Sequence, residues 1–459
     1  MKRLIRGGTI INEGLSFKGS LLINDGKIEK ILDSRLLQGR YEEAVARTGQ
    51  SVTESGGEVI DARGLHILPG IIDDQVHFRE PGAEQKGTIE SESKAAVLGG
   101  VTSFMDMPNN NPAATTIEAL EQKFEMASDS SYANYSFYLG ATNDNIEQIK
   151  RADKSRVCGI KLFMGSSTGN MLVDNPQALE RIFAESPILI AAHCEDEEII
   201  KRNLAVYRKK YGEQIPFSAH TYIRSREACV ACSKRAIDYA LKTGARLHIL
   251  HISTTEEIEM LKRASKLSPL ITGEICVHYL WFTTEESETF GSKIKCNPSI
   301  KEQSDRETLR KAVKEGIVKV LATDHAPHTL KEKLQGYLAS PSGIPTIQHS
   351  LQIMVELVKR GIFTMEEVVN AMCHGPAECF NIAARGFIRE GYCADLVLVD
   401  LNREYTVAPQ NIAYKCKWSP FEGYSFGSSI IHTFVNGRPV VREGQLTGAR
   451  AAAELRFDR

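Results

Sequence analysis

The feature that most constrains the fold is an alternation of strand-like and helix-like segments from about residue 70 to residue 385. Short apolar runs such as VTSFMDM and PILIAAHC are followed by amphipathic stretches such as IEALEQKFEMA and EDEEIIKRNLAVYRKK. This alternation is typical of parallel β/α units, and so many units in one block predict a (β/α)8 TIM-type barrel in the α/β class. We place the barrel at residues 69–385.

Both ends of the chain have the pattern of β-structure. Residues 1–68 contain LIRGGTII, SLLINDGKIEKIL and GEVIDARG, which are strand-like runs separated by turn signals. Residues 386–459 contain ADLVLVDL and SSIIHTFVNGRPVVREG, in which Asn436-Gly437 is typical of a hairpin. We therefore expect the two ends to form one small composite β-sandwich domain beside the barrel. Residues 33–57 are polar and rich in Gly and Ser, which favours a long surface loop.

Composition and charge argue against several classes of partner. The formal net charge of -2 over 459 residues favours neither nucleic acid nor an anionic membrane surface. No apolar run is long enough to predict a membrane span, and the N-terminus lacks the apolar core of a signal peptide. We therefore expect a cytoplasmic protein with reduced cysteines. Cys229 and Cys232 lie in one amphipathic segment and are interpreted as buried packing residues, not as a zinc or redox pair.

Polar side chains stand where five of the predicted barrel strands end. They are His77 after ILPGIID, Lys161 within VCGIKLFMG, His193 in PILIAAHC, His251 in RLHILHI and Asp324 in VKVLATDHA. The active groups of a (β/α)8 barrel lie at the carboxyl ends of its strands. Imidazole, carboxylate and a modified lysine together suit a cation such as zinc. A buried lysine has a lowered pKa, so its neutral amine can react with CO2 and give a carbamate.

Several motifs resemble those of one enzyme family. DDQVHFREPG is similar to the D-x-H-x-H-x-R-x-P-G signature of dihydroorotases in the amidohydrolase superfamily, and MDMPNNNP is similar to their M-P-N-T-x-P segment. AAHCED, LHILHIST, KCNPSIK and ATDHAPH match further family motifs in the same order, so the resemblance covers nearly the whole chain. It implies a class I-type dihydroorotase of the lysine-bridged branch. Such an enzyme cyclises N-carbamoyl-L-aspartate reversibly to L-dihydroorotate with loss of water, in de novo pyrimidine synthesis, through a metal-bound hydroxide.

The resemblance implies a role for each matching residue. Lys161, as N6-carboxylysine, would bridge the metal site, which would hold one or two Zn²⁺ per subunit, and Asp324 would also carry the catalytic proton. The implied metal ligands are His77, Lys161, His193, His251 and Asp324, with Gln75 where the family usually has histidine. The implied binding residues for the small-molecule substrate are Arg79, Asn109, Asn297, His328, Ser342 and Gly343. The resemblance also implies a homodimer and allows a contact with aspartate transcarbamoylase.

Gln75 leaves the state of the metal site open. Its amide oxygen could ligate a metal weakly, or the site could hold a single metal on the side of His193, His251 and Lys161. A third interpretation is a non-catalytic, dihydroorotase-like partner of aspartate transcarbamoylase. We favour an active enzyme, because a relic has little chemical reason to keep the other metal and substrate residues together.

Other cyclic amidohydrolases are the enzymatic alternatives, namely hydantoinase, dihydropyrimidinase and allantoinase. Arg79 together with Asn109 favours a substrate that carries a carboxylate, which dihydropyrimidines lack. Two segments depart from the dihydroorotase pattern. ICVHYLWFT replaces the usual paired histidines, so His278 is interpreted as structural, and SGIPTIQHS replaces the usual substrate loop.

Overall fold

A computed structural model describes residues 1–165 and 171–459 of the chain. Its strands, in chain order, are β1 Arg3–Asn12, β2 Leu15–Asn24, β3 Lys27–Asp33, β4 Glu58–Asp61, β5 His66–Pro69, β6 Ile71–Val76, β7 Val101–Asp106, β8 Asn134–Gly140, β9 Gly159–Phe163, β10 Ile190–His193, β11 Leu247–Ile249, β12 Ile271–Cys276, β13 Val320–Ala322, β14 Leu396–Asp400, β15 Tyr405–Thr406, β16 Ser425–Phe426, β17 Ser429–Val435, β18 Arg438–Arg442 and β19 Gln445–Leu446.

The helices alternate with the central strands. In chain order they are α1 Ser34–Leu37, α2 Tyr41–Glu54, α3 Ile89–Leu98, α4 Ile117–Ser130, α5 Ile146–Lys150, α6 Pro176–Glu185, α7 Glu197–Tyr211, α8 His220–Ile223, α9 Arg226–Thr243, α10 Thr255–Leu267, α11 Val277–Trp281, α12 Ser287–Phe290, α13 Gln303–Lys314, α14 Leu330–Lys333, α15 Ser350–Lys359, α16 Met365–Val369 and α17 Gly375–Phe380.

Strands β6 to β13 form a sheet of eight strands in chain order, and every pair in it is parallel. A parallel bridge between Val76 and His325 brings the first of these strands beside the last. The backbone N–H of His77 donates to the carbonyl oxygen of His325 at 2.7 Å at the same seam. The predicted (β/α)8 barrel is therefore confirmed, and its apolar wall residues pack against the surrounding helices in one large core.

Side-chain caps mark the starts of helices that the sequence predicts. Thr116 accepts a hydrogen bond from the backbone N–H of Ala119 at 3.2 Å at the start of α4. Thr254 accepts one from Glu257 at 3.2 Å at the start of α10, and Asp196 caps α7 in the same way. Each cap satisfies an N–H that has no partner inside its helix and contributes about 1 kcal/mol. The helices therefore begin close to the ends of the preceding strands.

The two ends of the chain meet in one nine-stranded sheet. Its main path runs β19-β18-β17-β14-β5-β1-β2-β3, with β4 paired to β1, so strands from both termini are neighbours. Asn436 and Gly437 have φ values of 48° and 71° at the hairpin between β17 and β18. Positive φ at two successive residues is what a two-residue hairpin turn requires. The composite β domain is confirmed, while its predicted boundaries at residues 68 and 385 stay predictions.

The prediction of a long surface loop at residues 33–57 is wrong. This segment contains the 14-residue helix α2. Tyr41, Val45 and Val52 of α2 are buried in a small cluster with apolar side chains of β1 to β3. These apolar positions lie four and seven apart, a helical spacing that the polar residues between them conceal. The buried face stabilises the helix against the sheet.

The cysteines behave as predicted. Cys229 and Cys232 lie buried on α9, and both are free thiols. Within the described ranges, no helix is long and apolar enough to cross a membrane.

Candidate active site

All twelve residues that the sequence assigns to a site line one cavity of about 360 Å³ at the carboxyl ends of the barrel strands. They are Gln75, His77, Arg79, Asn109, Lys161, His193, His251, Asn297, Asp324, His328, Ser342 and Gly343. The catalytic face of a (β/α)8 barrel is this same end, because the strand-to-helix loops can bring side chains from several strands together there. The structure therefore brings the twelve predicted residues together around one cavity.

His193 and His251 form what we call the His193–His251 half of the cavity. Nδ1 of His193 lies 2.9 Å from Nε2 of His251, and both rings are buried. Burial lowers the pKa of each imidazole, so both rings are neutral. The other nitrogen of His251, Nδ1, has no hydrogen-bond partner in the described part of the chain. Two zinc ligands in tetrahedral geometry lie roughly 3.3 Å apart, so this pair of nitrogens suits one divalent cation.

On the side away from His251, the carboxylate of Glu195 supports the orientation of the His193 ring. Its Nε2 lies 3.0 Å from Oε2 of Glu195, at hydrogen-bonding distance but poorly aligned for a hydrogen bond. Arg224 forms an ion pair with the same carboxylate. Burial alone would raise the pKa of Glu195, but the charge of Arg224 and the polar contact with His193 hold it far below its usual range. The ionised carboxylate favours a proton on Nε2 of His193, which leaves Nδ1 free to bind a cation.

His77, Asp324 and Gln75 form what we call the His77–Asp324 half. Nδ1 of His77 donates to Oδ1 of Asn109 at 2.7 Å, and its Nε2 lies 3.1 Å from Oδ1 of Asp324. Burial alone would raise the pKa of Asp324, but the hydrogen bond and charge of His77 lower it to about 2. A carboxylate oxygen therefore faces an imidazole nitrogen at the spacing of two ligands of one metal.

Gln75 differs from a histidine in what it offers to this half. Its Nε2 donates to Oδ1 of Asp324 at 3.2 Å, and its Oε1 lies 4.0 Å from Sγ of Cys276. The amide therefore acts as a hydrogen-bond donor to the carboxylate. A rotation of 180° about the last side-chain bond would exchange the two atoms and present oxygen instead. In either orientation the amide supplies a weaker ligand than imidazole.

Lys161 lies between the two halves and has the surroundings that a carbamate requires. The side chain is buried, and its Nζ lies 4.7 Å from the centre of the Phe163 ring. Burial lowers the pKa of Lys161 to about 8, against the effect of the nearby Asp324 carboxylate. In the described part of the chain, no carboxylate forms an ion pair with this ammonium. A buried lysine without such a partner is readily converted to its neutral amine.

Three residues at this end of the barrel have backbone conformations that are unfavourable for side chains other than glycine. The φ angles are 72° at Arg79, 41° at His251 and 46° at Asp324. Each such residue costs of order 1–3 kcal/mol and persists where the surrounding structure enforces it. All three strained residues present polar side chains to the cavity. Such strain is typical of functional sites, because it lowers stability and is retained for the position of the side chain.

The opposite wall of the cavity is positively charged. Nε of Arg79 donates to the carbonyl oxygen of Pro327 at 3.0 Å, and Nη2 lies 3.1 Å from Nε2 of His328. Nζ of Lys86 lies 3.1 Å from Nδ1 of His328 and donates to it, so Nε2 carries the proton and donates to the carbonyl oxygen of Ser342 at 3.1 Å. Burial, followed by the charges of Arg79 and Lys86, lowers the pKa of His328 and keeps the ring neutral.

The guanidinium of Arg79 is partly buried and lacks a counterion among the described residues. Among the residues described, no carboxylate lies within ion-pair distance of it, and burial lowers its pKa. A buried cation without an anionic partner is costly, because the lost hydration is not replaced. This end of the cavity is therefore suited to bind an anion from outside the protein, and a planar guanidinium matches a carboxylate in particular.

A buried ion pair sets the relative position of Arg79 and Asn109. Nζ of Lys123 donates to Oδ2 of Asp106 at 2.6 Å and to the carbonyl oxygen of Met107 at 2.9 Å. Oδ1 of Asp106 accepts the backbone N–H of Phe78 at 2.8 Å. One lysine thus ties the turn that carries Arg79 to the loop that carries Asn109, so both side chains are held by a rigid element.

Two lysines hold the loop that contains Ser342 and Gly343. Nζ of Lys333 donates to the carbonyl oxygens of Pro341 at 2.9 Å and Gly343 at 3.0 Å, and the Gly343 N–H donates to the carbonyl oxygen of Lys295 at 2.8 Å. Burial lowers the pKa of Lys333 to about 7, and the charge of Lys295 acts in the same direction. The Gly343 amide is thus already used within the protein. A ligand could still bind the Gly343 carbonyl oxygen or the backbone of Ser342.

The structure adds residues that the sequence did not point to. Phe163 and Arg224 also line the cavity, and Glu195 supports His193 from the layer behind it. Phe163 lies two residues after Lys161 on β9, so strand alternation places both on one face. That signal was available in the sequence. Arg224 follows the short helix α8 and has no strand-end signal, so only the tertiary structure brings it to the cavity.

Comparisons with known proteins agree with this geometry. Residues 66–440 match the Amidohydrolase family. The chain is 30% identical to the "Dihydroorotase" of Pyrococcus abyssi over 446 residues, covering 97% of this chain and 96% of that protein. It is 29% identical to the "Dihydroorotase" of Acetivibrio thermocellus over 449 residues, covering 96% of this chain and 99% of that protein.

Solved structures show the same fold. The L-hydantoinase (dihydropyrimidinase) of Arthrobacter aurescens matches with a TM-score of 0.90 at 23% identity, covering 99% of both chains. The dihydropyrimidinase of Brevibacillus agri matches with a TM-score of 0.87 at 24% identity, covering 100% of both chains. The chain therefore belongs to the amidohydrolase family, in the dihydroorotase branch of that superfamily, and is a metal-dependent cyclic amidohydrolase.

Proposed function

We propose that the protein is a dihydroorotase, which interconverts N-carbamoyl-L-aspartate and L-dihydroorotate with loss or gain of water. The observation that carries this proposal is the partly buried guanidinium of Arg79, which has no counterion within the described residues and faces the cavity. L-Dihydroorotate is dihydrouracil with a carboxylate at ring carbon 6, so Arg79 distinguishes it from uncharged cyclic amides. The near full-length similarity to proteins named dihydroorotase supports the same choice.

In this proposal the cavity wall around Arg79 binds the substrate carboxylate. Arg79 supplies charge and paired N–H donors, and Asn109 and His328 orient the same group. Asn297, whose Oδ1 is buried without a partner, accepts a hydrogen bond from a ring N–H. The backbone of Ser342 and Gly343 closes the far side of the ring. The amide bond that reacts then lies towards Lys161 and Asp324.

Zinc is the proposed cofactor, with one or two ions per subunit. His193 and His251 would hold one ion, and His77 and Asp324, aided by Gln75, would hold the other. Lys161 would bridge them as N6-carboxylysine, formed when its neutral amine attacks CO2 and releases one proton. Bound zinc would polarise the amide carbonyl and lower the pKa of a water molecule to about 7.

Asp324 is the proposed proton carrier. As a carboxylate of low pKa it accepts a proton from the attacking water and donates it to the ring nitrogen that leaves. In the direction of synthesis it takes the proton from the carbamoyl nitrogen and returns it to the departing water. The positive φ of Asp324 holds the side chain at the strand end, within reach of both halves of the site.

The test is hydrolysis of L-dihydroorotate by purified, zinc-loaded protein, followed by ultraviolet absorbance, with dihydrouracil as the matched substrate that lacks the carboxylate. We expect turnover of L-dihydroorotate, which Asp324→Ala abolishes, and little turnover of dihydrouracil. Equal or faster turnover of dihydrouracil, hydantoin or allantoin would move the assignment to another cyclic amidohydrolase. No turnover of any of these by folded, metal-loaded protein would favour the non-catalytic partner.

The assembly of the protein stays a prediction. The homodimer and the contact with aspartate transcarbamoylase can be tested together, by light scattering of the protein alone and after mixing with purified aspartate transcarbamoylase. A dimer alone and no mass increase on mixing would fit the enzymatic proposal, whereas a stable complex is what the non-catalytic partner requires.

A further inference from the structure

A second cluster of potential metal ligands lies deeper in the barrel, outside the cavity. It consists of Asp74, His248 and Glu274, which we call the interior cluster. All three side chains are fully buried, and one ligand atom of each lies within 4.8 Å of the others. Asp74 directly precedes Gln75 and His248 lies three residues before His251, so the interior cluster lies below the candidate active site along the barrel axis.

Asp74 is the most unusual member of the interior cluster. Both of its carboxylate oxygens are buried without a hydrogen-bond partner among the described residues. The nearest donor atom is Nε2 of His248, at 3.5 Å from Oδ2. A buried carboxylate normally accepts several hydrogen bonds or pairs with a cation, because the cost of its lost hydration is several kcal/mol. The side chain is therefore satisfied either by a proton shared with His248 or Glu274, or by a bound cation.

The hydrogen bonds of His248 fix which of its nitrogens faces the two carboxylates. The Thr272 hydroxyl donates to the carbonyl oxygen of Leu247 at 3.3 Å, so it accepts from Nδ1–H of His248 at 2.8 Å. Nε2 of His248 lies 3.3 Å from Oε2 of Glu274, the distance of a hydrogen bond, and a bound cation would take the place of the proton shared there. Imidazole ligands of metals are commonly held by a hydrogen bond of this kind from the other ring nitrogen.

The charges and distances match those of a divalent cation. Two carboxylates carry two negative charges, and in the described ranges no lysine or arginine forms an ion pair with Asp74 or Glu274. If Lys161 is carboxylated, it adds a further negative charge near them. Distances of 3.3 and 3.5 Å from Nε2 of His248 to the two carboxylates are close to the roughly 3.3 Å that separates ligands of tetrahedral zinc.

We propose that Asp74, His248 and Glu274 bind a zinc-like divalent cation inside the barrel, separate from the cations of the active site. This structural site ties β6, β11 and β12 together beneath the cavity. Glu274 also accepts the backbone N–H of His251 through Oε1 at 3.1 Å. The cation therefore stabilises the strand end that presents His251. Thr272, which contacts Nδ1 of His248, also lines a separate cavity of about 390 Å³ at the amino ends of the strands.

The competing explanation is that protons, not a metal, neutralise the interior cluster. An imidazolium at His248 with one protonated carboxyl group would also reduce the charge. The two explanations differ in electron density and in metal content, so neither activity nor the identity of the substrate enters the test. Failure of this inference would leave the proposed function untouched, and the reverse also holds.

The experiment is anomalous diffraction from crystals of the unmodified, zinc-loaded protein, recorded above and below the zinc edge. We expect an anomalous peak between Asp74, His248 and Glu274, distinct from any peak at His193 and His251. The absence of a peak at the interior cluster in crystals that show one at the active site would overturn the proposal.

Metal counting on variants gives an independent result. Asp74→Asn and Glu274→Gln should each lose about one zinc equivalent per chain, while Asp324→Ala retains the interior ion. Glu92→Gln is the matched control, because Glu92 is also buried and pairs with His325 at 2.9 Å but has all its partners in the protein. If Glu274→Gln and Glu92→Gln keep the same zinc content as the parent, protons neutralise the interior cluster. If a variant does not fold, the diffraction result on the unmodified protein decides.

Discussion

The two halves of the candidate active site are built from unequal donors. In the His193–His251 half, two neutral imidazole nitrogens face each other at 2.9 Å, and Glu195 supports one of them from behind. In the His77–Asp324 half, one imidazole nitrogen faces a carboxylate at 3.1 Å, and Gln75 donates an amide hydrogen to that same oxygen. The His193–His251 half offers two imidazole nitrogens to a cation, whereas the His77–Asp324 half offers only one imidazole and needs the carboxylate of Asp324 as its second strong ligand.

The difference makes the two halves of the proposed metal site unequal in the ligands that they offer. An amide at position 75 weakens the His77–Asp324 half, but Lys161 and Asp324 both lie where they can serve the His193–His251 half. We therefore expect the His193–His251 half to bind its cation more tightly than the other. The five predictions below test this difference between the two halves and the wall that they share, beginning with the largest expected effect.

Asp324→Ala removes the residue on which the weaker half depends. Turnover of L-dihydroorotate should fall by about 10³-fold or more, because both a ligand and the proton carrier are lost. Zinc content should fall by about one equivalent while the His193–His251 half stays loaded. The measurements are ultraviolet-monitored hydrolysis and elemental analysis. Asp238→Ala, on the exposed face of α9, is the control and should behave as the parent does. Turnover near that of the parent would remove Asp324 from the mechanism.

Lys161→Ala should weaken both halves together and lower turnover by about 10²- to 10³-fold, because the shared bridge is lost. Added short-chain carboxylates such as propionate should restore part of the activity by replacing the carbamate. Lys161→Met fills the same space with an apolar chain and is the control that carboxylates should not rescue. If propionate has no effect on either variant, a bridging carboxylate at this position is ruled out.

The formation of the carbamate should depend on pH. Burial lowers the pKa of Lys161 to about 8 in the folded chain, so the neutral amine fraction rises as pH increases through that value. Metal-free protein at constant dissolved ¹³CO2 should therefore show a carbamate signal in ¹³C NMR that grows with pH through about 8 and is absent in Lys161→Met. A signal that grows only above the usual lysine pKa of about 10.4 would contradict the lowered value.

Arg79→Lys tests the binding wall, which both halves share. The positive charge is retained but the planar pair of donors is lost, so KM for L-dihydroorotate should rise by about 10- to 100-fold with a smaller change in kcat. Metal content should not change. Any residual hydrolysis of dihydrouracil is the internal control. Its KM should not change, because this substrate has no carboxylate for Arg79 to bind. An unchanged KM would mean that the substrate carboxylate binds elsewhere.

Gln75→His has the smallest expected effect, and it tests most directly whether the two halves differ in their affinity for zinc. An imidazole at this position should tighten zinc binding in the His77–Asp324 half by about tenfold and raise zinc content towards two equivalents. Gln75→Leu is the control, since it removes both amide atoms without adding a ligand. Zinc titration of the metal-free proteins compares the three. Identical titrations of parent and Gln75→His would show that the amide is not what limits the weaker half.

The strand-end residues could be predicted from the sequence because each follows an apolar run in a regular β/α alternation. Residues of the interior cluster, such as Asp74, are harder to predict from the sequence. Alternation from Asp73 through Gln75 to His77 puts these residues on one face and directs Asp74 away from it. The structure shows a register shift between Asp73 and Val76, which interrupts this alternation. A residue next to the site therefore contributes to the interior cluster, and no periodic pattern indicates it.

The β domain also contains elements that could be predicted from the sequence and one that could not. Strands and the Asn436-Gly437 hairpin could be predicted because short-range turn chemistry specifies them. Helix α2 was missed because only three of its 14 residues are buried, Tyr41, Val45 and Val52. What makes α2 a helix is the sheet surface formed by residues such as Leu4, Leu22 and Leu32, which are distant in the chain.

The sequence by itself determined the barrel, the composite β domain and the five polar groups at strand ends, because periodicity and strand-end chemistry are local properties. The other seven residues around the cavity were implied by the family resemblance of the motifs. Only the tertiary structure decided how these residues pair. Gln75 reaches Asp324 across 249 positions, and His77 reaches Asn109 across 32. Which imidazole nitrogen is free, which carboxylate lacks a partner and which guanidinium lacks a counterion all depend on those contacts. Hydrogen bonds are short and directional, so strand register and barrel closure determine them.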